Sequence, residues 1–276
     1  MFYEYKINFI DIYMKYLNLG CGATYSTDEK WVNIDFNSYS KYVIGHNLLK
    51  GIPYEDDSFD LVYHSHILEH FNKEDGLLFL KECYRVLKPG GTIRIVVPNL
   101  EEIVKEYIRI FNLGIQDIFN EEIEEKYNWI LLELFDQMIR KFPGGEMGKF
   151  LVKEDLKILD YIEDRVGDEA VKYRNWYFSK QNKKTVVKRV SFKEKIKSIF
   201  IKQKIVEYDF LNSGELHNWM YDQYSLTKML HCLSFTEIKK TTGFESRILD
   251  WNNFDLDVLE NKIRKPDSLF IEAIKI

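Results

Sequence analysis

The sequence predicts an α/β protein: a mostly parallel sheet of seven strands, the last antiparallel, carrying a large, mainly helical insertion. Three observations predict it. The apolar strand Tyr16–Leu19 runs into Gly20-Cys21-Gly22, and a second strand, Trp31–Phe36, carries a lone acid, Asp35, near its end. Up to Val97, short apolar strands alternate with turn or helical segments, which is the rhythm of right-handed crossovers. After Pro98 that rhythm stops for roughly 120 residues, too long for a structureless loop, and resumes near Ser225.

Each element has its own signal. Tyr42–Leu48 reads as a short third strand and Phe59–His64 as a buried fourth. Asn72–Leu87 has helical spacing, with Leu77, Leu80, Tyr84 and Leu87 on one face, and stops at Lys88-Pro89-Gly90-Gly91. The β-branched run Thr92–Val97 is the fifth strand. Leu100–Asn112 and Ile118–Lys141 read as helices. Phe142-Pro143-Gly144-Gly145 punctuates, and Phe150–Tyr177 is helical with a break at Gly167. Ser225–Leu233 is a helix with Ser225 as its N-cap, and Phe235–Thr242 and Ser268–Ile276 complete the sheet. The organisation expected is one domain from 1–99 and 223–276, with 100–222 as a folded helical cap.

Composition bounds the function. The 276 residues are 45% hydrophobic and 30% charged, with a net charge of −5. Cys21, Cys83 and Cys232 are far apart and form no CxxC pair, which points to a reducing compartment without disulfides or structural zinc. No apolar run approaches a membrane span, and Met1–Lys15 lacks a signal-peptide pattern, so a cytoplasmic location is expected. Charge is nevertheless segregated. Lys172–Ile205 holds twelve Lys and Arg against one acid, Glu194, which leaves about −16 on the rest of the chain. Within it Phe192, Ile196, Ile199 and Phe200 recur at helical spacing. This 172–205 segment is consistent with contact to an anionic membrane at the inner face, with nucleic-acid binding, or with a solvated insertion packed on the cap.

The glycine turn carries the chemistry. Glycine lets backbone approach a ligand closely, and an acid one β-α-β step later can accept from two ribose hydroxyls, so Gly20, Gly22 and Asp35 point to a nucleoside-bearing cofactor. Asp35 alternatively reads as a solvated strand-end acid or a helix cap. His64, Ser65 and His66 end the fourth strand, the edge that faces the ligand crevice in open α/β sheets. His66 is a candidate base near neutral pH; its bland alternative is packing on the cofactor or capping the next helix. The His64, His66, Glu69 and His70 spacing matches no metal signature, and no metal is expected.

Four blocks in order then resemble class I S-adenosylmethionine-dependent methyltransferases of the type 11-like group. They are Leu17-Asn18-Leu19-Gly20-Cys21-Gly22, Ile52–Asp60, His66-Ile67-Leu68-Glu69-His70 and Arg85–Gly91. The resemblance implies a Rossmann-like fold, S-adenosyl-L-methionine as cofactor, and contacts from Leu19, Gly20, Cys21, Gly22, Asp35, Phe36, Asn47, Leu48, His64 and Ser65. Asn18 and Asn47 stand where this family more often has acids. That departure motivates a second reading, a non-catalytic cofactor-binding or scaffold protein. A third, an RNA methyltransferase, rests on the basic insert alone, since no Asn-Pro-Pro-Tyr-type motif follows the fourth strand.

The second half adds Leu134–Arg140, Gly144-Gly145-Glu146-Met147, Arg165-Val166-Gly167, Gly214–Asp222 and Arg264–Ala273. Together these resemble a bacterial methyltransferase subgroup linked to surface-glycan synthesis. The acceptor implied is a small molecule, nucleotide sugar or lipid-linked glycan. Asp136, Gln137 and Arg140 share a helix face, where an Asp136–Arg140 ion pair competes with acceptor binding. His217, Trp219 and Tyr221 alternate, so an extended segment presents them on one side as an aromatic platform. Core packing is the alternative there, with Trp219 as the leading core residue. His217 is the second candidate base.

Overall fold

The computed structural model describes residues 14–181, 210 and 214–276. Met1–Tyr13 and most of the basic segment lie outside these residues, so the expectations placed on them stay with the sequence. The strands are β1 (Tyr16–Leu19), β2 (Trp31–Asp35), β3 (Val43–Gly45), β4 (Phe59–Ser65), β5 (Leu87–Pro98), β6 (Phe235–Thr241) and β7 (Ser268–Lys275). The helices are α1 (Lys73–Val86), α2 (Leu100–Gln116), α3 (Glu121–Ile139), α4 (Gly145–Leu151), α5 (Leu159–Val166), α6 (Glu169–Gln181) and α7 (Gln223–Cys232).

The chain divides into two compact units. The first holds the residues up to Val97 with Gln223–Lys262 and Leu269–Ile276; the second holds Pro98–Asp222 with Ile263–Ser268.

In the first unit the strands form one sheet in the order β3-β2-β1-β4-β5-β7-β6. The pairs β1–β2, β2–β3, β1–β4 and β4–β5 are parallel, and β6–β7 is antiparallel, as the sequence predicts. Strand order reverses about β1, with β2 on one side and β4 on the other. The carboxyl ends of these strands therefore border a crevice suited to a ligand. All four residues of β1 are buried, which is why it carries no polar alternation except Asn18.

Several boundaries move for physical reasons. β5 begins at Leu87 rather than Thr92, because Phe59 pairs with Leu87 and Leu61 with Thr92 around a bulge at Lys88–Gly91. Lys88 there donates to both oxygens of Asp60 at 2.9 and 2.8 Å. The buried stripe of α1 is Gly76, Phe79, Leu80, Cys83 and Val86, rotated from the predicted face, so Leu77 and Tyr84 only flank it. Asn72 caps α1 by accepting from the Glu74 and Asp75 N–H groups, both at 2.9 Å. α7 starts at Gln223, so Ser225 lies inside its first turn instead of capping it.

β5 carries one buried charge, Arg94, in an otherwise apolar run. Its Nε donates to Asp257 at 2.7 Å and its Nη1 to Glu272 of β7 at 2.7 Å. Asp257 also accepts from Tyr63 at 2.6 Å and Trp251 at 3.0 Å, and Glu272 from Ser246 at 2.6 Å. A guanidinium this deep is tolerated because its donors and both carboxylates are so thoroughly engaged.

The second unit has its own core of Trp129, Phe150, Leu151, Ile158, Ile162 and Ala170. The predicted helical stretch Phe150–Tyr177 breaks at Gly167 between α5 and α6 as expected, and is broken a second time between α4, which starts at Gly145, and α5. Asp136, buried on α3, accepts from the Glu146 N–H at 2.7 Å and the Met147 N–H at 3.3 Å, which caps the start of α4. This close approach explains the Gly-Gly pair. Gly145 sits at φ +55°, and a Cβ there would lie 2.2 Å from the Asp136 carboxylate. Gly145→Ala should therefore destabilise the protein by roughly 1–3 kcal/mol, read as a lower denaturation midpoint; an unchanged midpoint would show that the cap tolerates displacement.

Candidate functional site

The site builds outward from the end of β1. Gly20 and Gly22 take left-handed conformations, at φ +60° and +50°. A Cβ on Gly20 would overlap the Ile67 side chain at 2.0 Å, whereas a Cβ on Gly22 would meet nothing within 4 Å. The turn is thus closed on the Ile67 side and open on the other. Asn18, buried beneath it, donates to the Thr24 carbonyl at 3.1 Å and to the Asn33 Oδ1 at 3.2 Å. The amide at this position braces the loop, a task that a carboxylate, with no N–H to donate, could not perform in this geometry.

Asp35 ends β2 beside that turn. Its Oδ2 accepts from the Gly22 N–H at 2.8 Å, and its Oδ1 accepts from the Tyr39 hydroxyl at 2.7 Å. Burial, the Asp35 hydrogen bond and its charge push the Tyr39 phenol up to about 12. Cys21 is held between the glycines. Burial first, and Asp35 second, push its thiol up to about 12, so it is a neutral packing group at pH 7. Phe36, next in sequence, exposes 67% of its surface and offers an unpacked apolar face beside the carboxylate. Leu19 is fully buried. Asn47 accepts from the Leu49 N–H at 3.0 Å, capping the 3-10 turn that begins at Leu48. The oxygen expected to receive an adenine amine is already engaged in that cap.

The end of β4 separates its three polar residues. The His64 side chain, expected to line a cofactor, is completely buried, with its ring centroid 5.1 Å from that of Phe79 on α1 in an edge-to-face contact. Alternation along the strand sends it under the helix, so that only backbone remains at the edge. Ser65 is half-buried at the strand end. His66 adopts φ +54°, unusual for a residue with a Cβ, and its N–H is fixed on the Val96 carbonyl at 2.9 Å. Its Nδ1 lies 3.2 Å from Glu69, which is itself fully buried. A histidine held by a carboxylate on one nitrogen and turned by a strained backbone is the arrangement that orients a base. The sequence placed Glu69 only within a motif and as a metal-ligand option; its signal was the three-residue spacing from His66. Tyr39 carried no signal.

The remaining expected residues belong to the second unit. Asp136 is occupied as the α4 cap, and no Asp136–Arg140 ion pair forms; Arg140 instead ends α3 and donates to Gln137 Oε1 at 3.3 Å. The Gln137 carbonyl accepts from the His217 N–H at 3.0 Å, which anchors the Gly214–Asp222 segment on α3. His217 and Tyr221 are buried, while Trp219 is 38% exposed. The three therefore do not share one face, and the core residue of the set is Tyr221, not Trp219. Tyr221 is held by its backbone, whose carbonyl accepts from the Leu100 N–H at 3.0 Å.

The pH dependence of His64 is testable. Burial, opposed only in part by Glu69, lowers its pKa from 6.5 to about 4, and neither ring nitrogen has a hydrogen-bond partner. The unfolded chain binds this proton more readily than the folded one. Its neutral form thus supports the fold fully above about pH 6.5, and that support is lost as pH falls toward 4, on the order of 3 kcal/mol in all. His64→Leu should flatten the stability–pH profile across this window. Parallel profiles for the two proteins, measured by urea denaturation, would place the dependence elsewhere.

Comparison with known proteins falls on the same segment. The family model described as methyltransferase domain matches residues 17–95. A probable S-adenosylmethionine-dependent methyltransferase of Mycolicibacterium smegmatis is 31% identical over 98 residues, covering 30% of this chain and 37% of that protein. The demethylmenaquinone methyltransferase of Staphylococcus aureus is 34% identical over 121 residues, covering 42% and 45%, respectively. The chain thus spans less than half the length of these two curated relatives. Among solved structures, a SAM dependent methyltransferase from Archaeoglobus fulgidus is 14% identical, with a TM-score of 0.38 over 95% of this chain and 86% of that one. Residues 17–95, which bear the glycine turn, Asp35 and the His66–Glu69 pair, are accordingly the part of the chain that is similar to a methyltransferase domain.

Proposed function

We propose that this chain is an S-adenosylmethionine-dependent methyltransferase that methylates a hydroxyl of a sugar or glycan-related small acceptor. The observation carrying the first half is the Asp35 carboxylate, fixed by the Gly22 N–H at the mouth of the matched domain. The residues fit the cofactor. The open side of Gly22 would admit the amino-acid tail, Asp35 would receive the ribose hydroxyls as charge-assisted bonds, and exposed Phe36 would offer an apolar face to the adenine. When bound, the cofactor supplies a methyl group on a sulfonium.

The rest falls to the chain itself. Transfer to a hydroxyl needs close approach and removal of one proton. His66 takes that proton on its imidazole while Glu69, 3.2 Å from Nδ1, orients the ring and steadies the charge that forms. His217, in the other unit, is the second candidate. The glycan acceptor rests on the Leu134–Arg140, Gly144–Met147 and Gly214–Asp222 motifs, which converge on one framework around α3. The demethylmenaquinone methyltransferases of Staphylococcus aureus and Listeria monocytogenes match 121 and 129 residues, 42% and 44% of this chain, a length comparable to the cofactor half. The role of Asn18 as a loop brace supports the enzyme over the scaffold reading. Peripheral membrane contact through 172–205 remains a proposal from the sequence; among the described residues no helix is long and apolar enough to cross a membrane.

Calorimetric titration with S-adenosylhomocysteine tests the cofactor half. Asp35→Ala should weaken binding roughly 10–100-fold, the worth of hydrogen bonds to a charged group. Tyr39→Phe should tighten it several-fold, because the phenol no longer competes for the oxygen that ribose needs. No binding to the unaltered protein, or equal binding by Asp35→Ala, would remove the cofactor assignment. Radiolabel transfer to nucleotide sugars tests the acceptor half. His66→Asn should lower kcat about 10²–10⁴-fold with S-adenosylhomocysteine affinity unchanged; binding without transfer to any glycan would remove the sugar.

A further inference from the structure

Arg140 stands apart from the other arginines of the second unit. Arg165 donates from two nitrogens to both oxygens of Glu133, and Arg109 likewise to Glu106. Arg174 donates to the Leu151 and Lys153 carbonyls. Arg140 is partly buried at the end of α3, yet makes no ion pair among the described residues. Of its five N–H donors, one reaches a neutral oxygen, Gln137 Oε1, at a long 3.3 Å. Its Nε is buried without a partner, and the underside of the guanidinium lies 5.9 Å from the Phe210 ring centroid.

Two neighbouring acids stabilise its charge from a distance, and burial outweighs them. Asp136 acts on Arg140 only through space, since its oxygens are spent on the Glu146 and Met147 N–H groups. Glu215 also acts only at a distance. Burial pulls the guanidinium pKa below its ordinary value, but an arginine remains charged at neutral pH. A fold that gives Arg165 and Arg109 paired carboxylates gives this one only partial compensation through space, and a half-desolvated charge with a buried, unpartnered Nε is costly to keep. The planar fork of arginine matches oxyanions, taking carboxylate or phosphate in paired hydrogen bonds.

We propose that Arg140, with the Gln137 amide beside it, is a subsite for an oxyanion, the phosphate or carboxylate of an anionic sugar. This rests on the sugar acceptor proposed above and narrows it. The subsite itself is a property of the second unit and does not need the cofactor to form.

The test is calorimetry on the full chain with UDP-glucose, inorganic pyrophosphate, glucuronate and glucose, at two salt concentrations. At least one anion should bind ten-fold or more tighter than glucose, with affinity falling as salt rises. Pyrophosphate and UDP-glucose identify a phosphate, glucuronate a carboxylate. Arg140→Gln should abolish the preference, and Arg140→Lys should keep it in part. Thermal unfolding gives a second reading: removing a half-desolvated, partly compensated charge should leave the midpoint of Arg140→Gln equal or higher, whereas a structural arginine would lower it. Anion binding unchanged in both variants, or no preference for any anion over glucose, overturns the proposal. S-adenosylhomocysteine titrated in parallel separates the two readings: lost cofactor binding with intact Arg140-dependent anion binding fails only the methyltransferase assignment, and the reverse fails only the subsite.

Discussion

The hydrogen bond from the Gly22 N–H to Asp35 is the constraint on which the first unit turns. It ties the loop after β1 to the end of β2, so two adjacent parallel strands present one rim. Only a backbone that can enter the left-handed region delivers the N–H to that carboxylate, and only a buried brace such as Asn18 keeps the loop from collapsing. The same carboxylate raises the Cys21 thiol and is shared with the Tyr39 hydroxyl. One acid therefore fixes the loop, holds the Tyr39 hydroxyl and adds to the effect of burial on the Cys21 thiol.

The two units solve different problems. In the first, hydrogen-bonded strands fix backbone and leave the rim side chains free to differ. In the second, helices of moderate length pack on Trp129 and Ile162, and polar side chains are used to hold segments in place. Asp136 caps α4, Glu133 secures Arg165, and the Gln137 carbonyl anchors His217. A motif can thus be dense with charged residues and still be scaffolding in most of its positions.

Much of the sheet was legible because its signals are local. β1, β2 and β4 are buried apolar runs bounded by turn residues, and their ends fell within a residue of the reading. Arg85 and Lys88 looked like parts of a helix stop. They in fact reach back to the Ile52 and Tyr54 carbonyls, Asp56 and Asp60, contacts that span about thirty positions and leave no local trace. The same blindness applies to the site. Gly20, Gly22 and Asp35 could be named from spacing, whereas the burial of His64 depends on which face α1 covers, and the hold of Tyr39 on Asp35 depends on a loop. The break at Gly167 was legible because glycine marks it, whereas the interruption between Leu151 and Leu159 was not, because periodicity alone does not separate two helices joined by a short turn.

The Arg94 cluster has an implication for how the molecule is made. Its two carboxylates arrive 163 and 178 positions after the arginine. During synthesis β5 leaves the ribosome with a cation at its centre and no counter-charge, long before β7 exists to sit beside it. The β1–β4 side is able to pair early, while the β5 side waits exposed for most of translation. The interval in which the β5 edge stands unpaired during synthesis is therefore set by the distance along the gene between one codon and its two distant partners.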